Sequence, residues 1–135
     1  MARSKQLLGL DIGTARIGVA IADTAVRIAI PQEYITVDGR EVAAIAEQVI
    51  ANGIDTIVIG YPRNQSGEAT EQTAVTELFA KKLEDIDATI VFQDESLTSV
   101  IAEQRLSSRR KVYEKGEIDS EAAAIILQDY MEQRL

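Results

Sequence analysis

Cysteine and histidine are both missing from this 135-residue chain. Without cysteine there is no disulfide, no thiolate nucleophile and no cysteine zinc site. Without histidine, the commonest general base and the commonest zinc ligand are gone. Any catalysis therefore falls to carboxylates, hydroxyls, Lys and Arg, or a hard metal ion. Long apolar runs are also lacking: none approaches the roughly 20 residues that span a bilayer. The N-terminus, Met1 to Lys5, leads straight into a strand pattern with no signal-peptide hydrophobic region. The expectation is a cytoplasmic protein with no membrane role.

Positive charge is scarce. Fourteen Lys and Arg face 22 Asp and Glu, a net charge of −8, which argues mildly against a nucleic-acid partner because phosphate binding depends on cations. The average hides a local reversal. Arg105, Arg109, Arg110, Lys111 and Lys115 fall close together, opposed only by Glu114. A small basic patch on an acidic body stays compatible with a nucleic-acid enzyme.

The apolar fraction is 46% and the charged fraction 27%, so the chain has enough core-forming residues for one globular domain over residues 1–135. The stretch from Gln6 to Asp23 reads as two apolar strands joined by a tight turn, rich in Val, Ile and Leu. Gly9, Gly13 and Gly18 leave room there for the close approach of another backbone or a ligand. A third strand is expected over residues 25–31, ending at Pro31, then a short extended piece at 34–37.

From Gly39 to Asn52 the period changes. Val42, Ile45, Ala46, Val49 and Ile50 follow the i, i+3, i+4 spacing of an amphipathic helix, with Asp38 as its cap and Asn52-Gly53 as its end. Residues 54–59 form a short apolar strand buried on both faces, followed by a loop from Gly60 to Gly67. A second helix is expected over 68–84 with Val75, Leu78, Phe79 and Leu83 on one face. A strand follows over 89–92, a short helix over 98–106 and a polar, basic stretch over 107–116. The last helix covers 117–133, with Ala123, Ile126, Leu127, Tyr130 and Met131 as its apolar stripe. A meander followed by alternating helix and strand predicts an α/β fold, a mixed sheet flanked by helices.

In such sheets, sites gather at the carboxyl ends of the strands. Those ends carry Asp11 and the pair Asp94-Glu95, and the last helix begins with Glu117, Asp119 and Glu121. Three carboxylates within about 5 Å repel each other by roughly 3 kcal/mol per pair at an effective dielectric near 20. A divalent cation relieves that repulsion, and oxygen-only ligands suit Mg²⁺ or Mn²⁺. Two such ions can drive phosphodiester cleavage without histidine. Each acid also has a plainer reading. Asp119 or Ser120 can cap the last helix, Asp94 and Glu95 can be solvated loop acids, and 107–115 can be a linker.

The motifs Leu10-Asp11-Ile12-Gly13-Thr14-Ala15-Arg16-Ile17-Gly18-Val19-Ala20, Gly60-Tyr61-Pro62-Arg63-Asn64 with Gly67, Asp94-Glu95-Ser96-Leu97-Thr98-Ser99, and Asp119-Ser120-Glu121 running into Ala122-Ala123-Ala124-Ile125-Ile126-Leu127-Gln128 closely resemble the YqgF/RuvX family. The resemblance spans nearly the whole chain. It implies a ribonuclease H-like fold with a five-stranded mixed sheet. It also implies a metal-dependent nuclease acting on the 5′ end of pre-16S rRNA, with branched DNA as a further substrate. Residue by residue, it makes Asp11, Glu95 and Asp119 the catalytic and metal-binding acids, with Asp94 as the alternative to Glu95. Thr14, Arg16, Arg63, Thr98, Arg109, Arg110 and Lys111 are candidate substrate contacts. Two departures stand out: Ser96 replaces an Arg usual in the family, and Arg63 stands where an apolar residue is usual.

Implied partners are pre-rRNA, branched DNA and ribosomal particles, and the expected state is a monomer or weak homodimer. A competing reading from another class is a non-catalytic RNA-binding factor of ribosome assembly, favoured by the net charge and by Ser96. A third is nucleotide binding, because Asp11-Ile12-Gly13-Thr14 also resembles the first phosphate loop of the sugar kinase and Hsp70 superfamily. Those proteins are far larger.

Overall fold

A computed structural model describes residues 4–62, 70–95, 104 and 115–135. The two N-terminal apolar runs become β1 (Gln6–Ile12) and β2 (Arg16–Asp23), paired antiparallel from Gln6 opposite Asp23 to Ile12 opposite Ile17. The turn between them needs Gly13, where a Cβ would stand 2.5 Å from the Arg16 carbonyl oxygen.

The third strand shrinks to β3 (Ile30–Pro31), because residues 24–26 turn. The Asp23 carboxylate accepts the Ala25 N–H at 2.7 Å, a side-chain turn that competes with the ladder. Arg27 then adopts a left-handed φ of 61° and donates to the Met131 carbonyl at the far end of the last helix, at 2.8 Å. A second short piece, β4 (Ile35–Thr36), also pairs with β2.

Helix α1 (Glu41–Asn52) buries Ile45 and Val49 as its spacing requires, but Ile50 is 82% exposed. Asp38 does not cap it: Arg40 is the cap residue, and no side chain bonds there. Glu41 reaches back instead and accepts the N–H groups of Asp38 and Gly39 at 3.1 and 2.7 Å. Gly53 ends the helix in the left-handed conformation, as expected.

Strand β5 (Thr56–Pro62) is parallel to β1, and β6 (Thr89–Glu95) is parallel to β5. Both run further than their apolar cores. Gly60, Tyr61 and Pro62, expected in a loop, pair with Gln93, Asp94 and Glu95. Parallel pairing carries two polar strand ends that neither run announces alone. The sheet runs β3-β2-β1-β5-β6, with β4 a sixth piece on β2.

Helix α2 (Glu71–Lys82) starts at a Thr70–Thr73 capping box, later than expected. It is tied to the strand ends: Gln72 Nε2 donates to the Ile12 carbonyl at 2.6 Å, and Thr73 Oγ1 to the Pro62 carbonyl. Its buried face holds Thr73, Thr76, Phe79 and Ala80, while Leu78, expected inside, is 62% exposed. Helix α3 (Lys115–Arg134) buries the expected stripe and, from Ser120 to Leu127, every side.

Two cores result. On one face of the sheet, Leu8, Leu10, Ile12, Ile17 and Val19 pack with Ile45, Val49, Phe79 and Leu83 of the α1–α2 layer. On the other, Leu7, Ala20, Ala22 and Val58 pack with Ala123, Ile126, Leu127, Tyr130 and Met131 of α3. No helix among the described residues is long and apolar enough to cross a membrane.

Candidate active site

Strand alternation assigns Asp11 to the α3 face. Leu8, Leu10 and Ile12 face α1 and α2, so Leu7, Gly9 and Asp11 share the opposite side. Gly9 shows how close α3 comes: a Cβ there would lie 3.0 Å from both the Ala123 carbonyl oxygen and the Leu127 Cβ.

One strand across, Asp11 pairs with Gly18, and antiparallel partners have Cα atoms about 4.5–5.5 Å apart. At Gly18 the helix backbone rests on the strand. A Cβ there would be 1.9 Å from the Asp119 carbonyl oxygen and 2.7 Å from the Ser120 nitrogen. The contact is pinned by a buried hydrogen bond in which the Val19 N–H donates to Ser120 Oγ at 3.1 Å. Asp119, Ala123 and Leu127 are thus successive i, i+4 positions laid across β2 and β1. That sets the Asp119 backbone against Gly18, the β2 residue paired with Asp11, although 108 residues separate the two acids in the chain.

Arg16 lies on the same face of β2 as Gly18. Its Nε donates to Asp119 Oδ2 at 3.0 Å, with the two side chains 34% and 29% exposed. The expected role of Asp119 or Ser120 as a helix cap is overturned. The helix already includes residues 115–118, so both residues sit at least one turn inside it, where N–H groups already have helical acceptors. Ser120 serves the Val19 N–H instead. Of the other acids on this helix, Glu117 is exposed and Glu121 is buried at 4%.

Asp94 is the member of the Asp94-Glu95 pair whose side chain is described. In β6, Val91 packs with the α3 core and Gln93 Nε2 donates to Gln133 Oε1 at 2.9 Å. Asp94 has the parity of Ile90 and Phe92. It borders a separate cleft of about 700 Å³ with Tyr61, Glu77, Lys81 and Arg134. The Glu95 side chain lies outside the described residues, and among those described no three acids form a metal-holding group.

Thr14 stands exposed at the β1–β2 turn and borders a hollow of about 260 Å³ with Gly13, Val37 and Lys82. Arg63, Thr98, Arg109, Arg110 and Lys111 lie outside the described residues, as does the short helix expected over 98–106 apart from Gln104. Sequence reading missed the Ser120 bond to Val19. Its signal, a small hydroxyl beside a strand glycine, is visible only when the two segments are known to touch.

The donor set at this place is made of oxygens alone, which suits a hard divalent cation. A cation already sits on Asp119, since the Arg16 guanidinium fills that position. The carboxylate oxygens of Asp11 and Asp119 are thus of the type that a hard divalent cation prefers.

Residues 5–133 match the RuvX family, described as Holliday junction resolvase. A relative from Chloroflexus aggregans is 41% identical over 133 residues, covering 95% of this chain and 94% of its own. One from Geobacillus kaustophilus is 36% identical, covering 94% and 97%. One from Synechocystis is 34% identical, covering 99% and 91%. All three are named as candidate pre-16S rRNA nucleases. Among solved structures, the Thermus thermophilus RuvC bound to a Holliday junction superposes with a TM-score of 0.59 at 13% identity, covering 96% of this chain and 95% of its own. The fowlpox virus resolvase with its junction DNA gives 0.56 at 12%, covering 96% and 99%. These likenesses identify the fold as ribonuclease H-like.

Proposed function

Because this chain belongs to the RuvX family of Holliday junction resolvases, a nuclease family, we propose that it is a single-domain, metal-dependent phosphodiester hydrolase. Its substrate in this reading is the 5′ end of pre-16S rRNA, with branched DNA as a second, structurally related target. The observation that carries the reading is the seating of Asp119 on Gly18, opposite Asp11.

Asp11, Asp119 and Glu95 would hold Mg²⁺ or Mn²⁺, as a pair of ions in the full arrangement. Bound there, the ions supply Lewis-acid polarisation of the phosphodiester and a water acidified enough to attack near neutral pH. The chain's own part is positional. Central strand β1 fixes Asp11, the helix backbone on Gly18 fixes Asp119, and in this reading Glu95, at the end of β6, would join them. Thr14 and Arg16 flank this place on the β1–β2 turn and would contact the phosphate backbone. Arg63, Thr98, Arg109, Arg110 and Lys111 would extend that contact. Cationic contacts of this kind matter on a chain of net charge −8, because each one adds to a salt-dependent affinity. The reading places the protein in the cytoplasm, beside ribosomal particles, as a monomer or weak homodimer.

The test is cleavage of a 5′-extended 16S rRNA precursor and a four-way DNA junction, with Mg²⁺ or Mn²⁺ and with EDTA. Cleavage that needs the metal and falls about 10³-fold or more in Asp11→Asn supports the enzyme. Tight binding with no cleavage by the wild-type chain supports the non-catalytic assembly factor instead. Ser96, in place of a usual Arg, favours that second reading.

A further inference from the structure

Arg16 has a second role that a phosphate contact does not explain. Its Nε is spent on Asp119 Oδ2 at 3.0 Å, so the residue that should meet substrate instead occupies an oxygen of a proposed metal ligand. We infer that Arg16 is an internal counter-ion: it holds Asp119 in the free protein and is exchanged for the divalent cation when the site loads. This rests on the metal reading above.

Three features of the structure make the exchange feasible. Arg16 opens β2 opposite Thr36 of β4, next to the stretch from Ile17 to Asp23 that pairs with β1, so its backbone is held when the guanidinium leaves. The Asp119 backbone is held separately, by Gly18 and by the Ser120 bond to Val19, so the acid keeps its position when the guanidinium leaves. The pair is about a third exposed on each side, and ion pairs so open to water are weak. A divalent cation at the same oxygens can displace it.

A guanidinium carries five N–H donors, and the Asp119 contact uses the one on Nε. Once displaced, Arg16 can offer its planar fork to the oxygens of a phosphodiester. Metal loading and substrate capture then share one switch. Arg16 is thus a positioning residue in the free state and a substrate contact only after exchange.

The test is a Mn²⁺ titration of the full chain without nucleic acid, followed by calorimetry, for wild type, Arg16→Gln and Arg16→Lys. Each is repeated with Asp119→Asn. Removing a weak competing ion pair should tighten Mn²⁺ binding in Arg16→Gln by about two- to fivefold. Arg16→Lys should stay near wild type, and the gain should vanish when Asp119 is Asn. Equal or weaker Mn²⁺ binding by Arg16→Gln overturns the exchange and leaves the metal reading standing. A gain that persists in the Asp119→Asn background also overturns it, because the effect is then general charge and not the pair. Absence of Mn²⁺ binding by the wild-type chain overturns the metal reading and the exchange together. Should Arg16→Gln melt early, Arg16→Ala serves the same comparison. A cleavage assay adds a further readout: KM for the nucleic acid should rise in Arg16→Gln by a larger factor than kcat falls.

Discussion

Replacing Gly18 by alanine plants a methyl carbon 1.9 Å from the Asp119 carbonyl oxygen, 2.1 Å from its carbon and 2.7 Å from the Ser120 nitrogen. All three are backbone atoms, so no side chain can swing aside to make room. Ordinary contact begins at 3.4 Å, and the first turns of α3 must move out by the difference. Strand β2 cannot yield instead, since β1 pairs with it from Ile17 to Asp23 on one side and β3 and β4 hold the other. The outward move breaks the Val19–Ser120 bond, leaving a buried N–H unpaired at a cost of about 1–3 kcal/mol. Overpacking adds roughly 1–3 kcal/mol.

Gly18→Ala should therefore lose about 2–6 kcal/mol in urea unfolding, comparable to the whole stability of a weak domain. Misplacement of a reacting group by about 1 Å can cost roughly 100-fold in rate, so cleavage should fall by at least that factor even below the melting range. Urea melts followed by circular dichroism, with cleavage assays at 15 °C, read both effects. Stability within about 0.5 kcal/mol of wild type together with full cleavage would refute the claim that Gly18 seats Asp119.

Three further expectations follow from other contacts. Ser120→Ala removes only the acceptor of the Val19 N–H; it should cost about 1–3 kcal/mol in urea melts and speed hydrogen exchange at Val19. Leu127→Ala opens a void against β1 in the α3 core, and a loss of about 2–5 kcal/mol in the same melts is expected. Glu41 is held below the usual carboxylate range, mainly by its own backbone N–H and then by that of Gly39. A depressed folded pKa stabilises above the unfolded value and is lost as pH falls through the folded one. Asp23 shifts the same way, through the Ala25 N–H and the Gln6 side chain. The urea midpoint should drop as pH falls from about 5 to about 3, and Glu41→Gln should make that drop shallower.

Local pattern made most elements legible. Leu7 to Ile12 and Ile17 to Ala22 are dense in β-formers, Ile45 and Val49 repeat at helical spacing, and Gly53 marks a left-handed end. Elements that depend on distant partners were not. The stretch from Ala25 to Ile30 has strand composition, yet Asp23 turns the chain and Arg27 is spent on the end of α3. Leu78 keeps helical phase with Phe79 and still faces outward, because the buried side of α2 is set by Thr73 and Thr76 against the strand ends. Tyr61 and Pro62 read as loop until β6 pairs with them.

The acids themselves could be read in advance, since strand ends and a helix start carry Asp11, Glu95 and Asp119 in any drawing of the chain. The order of strands and helices was likewise a property of local periodicity, which acts within a few residues. Which acids meet was not. Asp119 reads equally well as a helix cap until helical residues 115–118 place it at least one turn inside α3. Gly18 shows why: its missing side chain is written in the sequence, but the helix that fills the space comes from 101 residues away. Only packing across the sheet brings the two together.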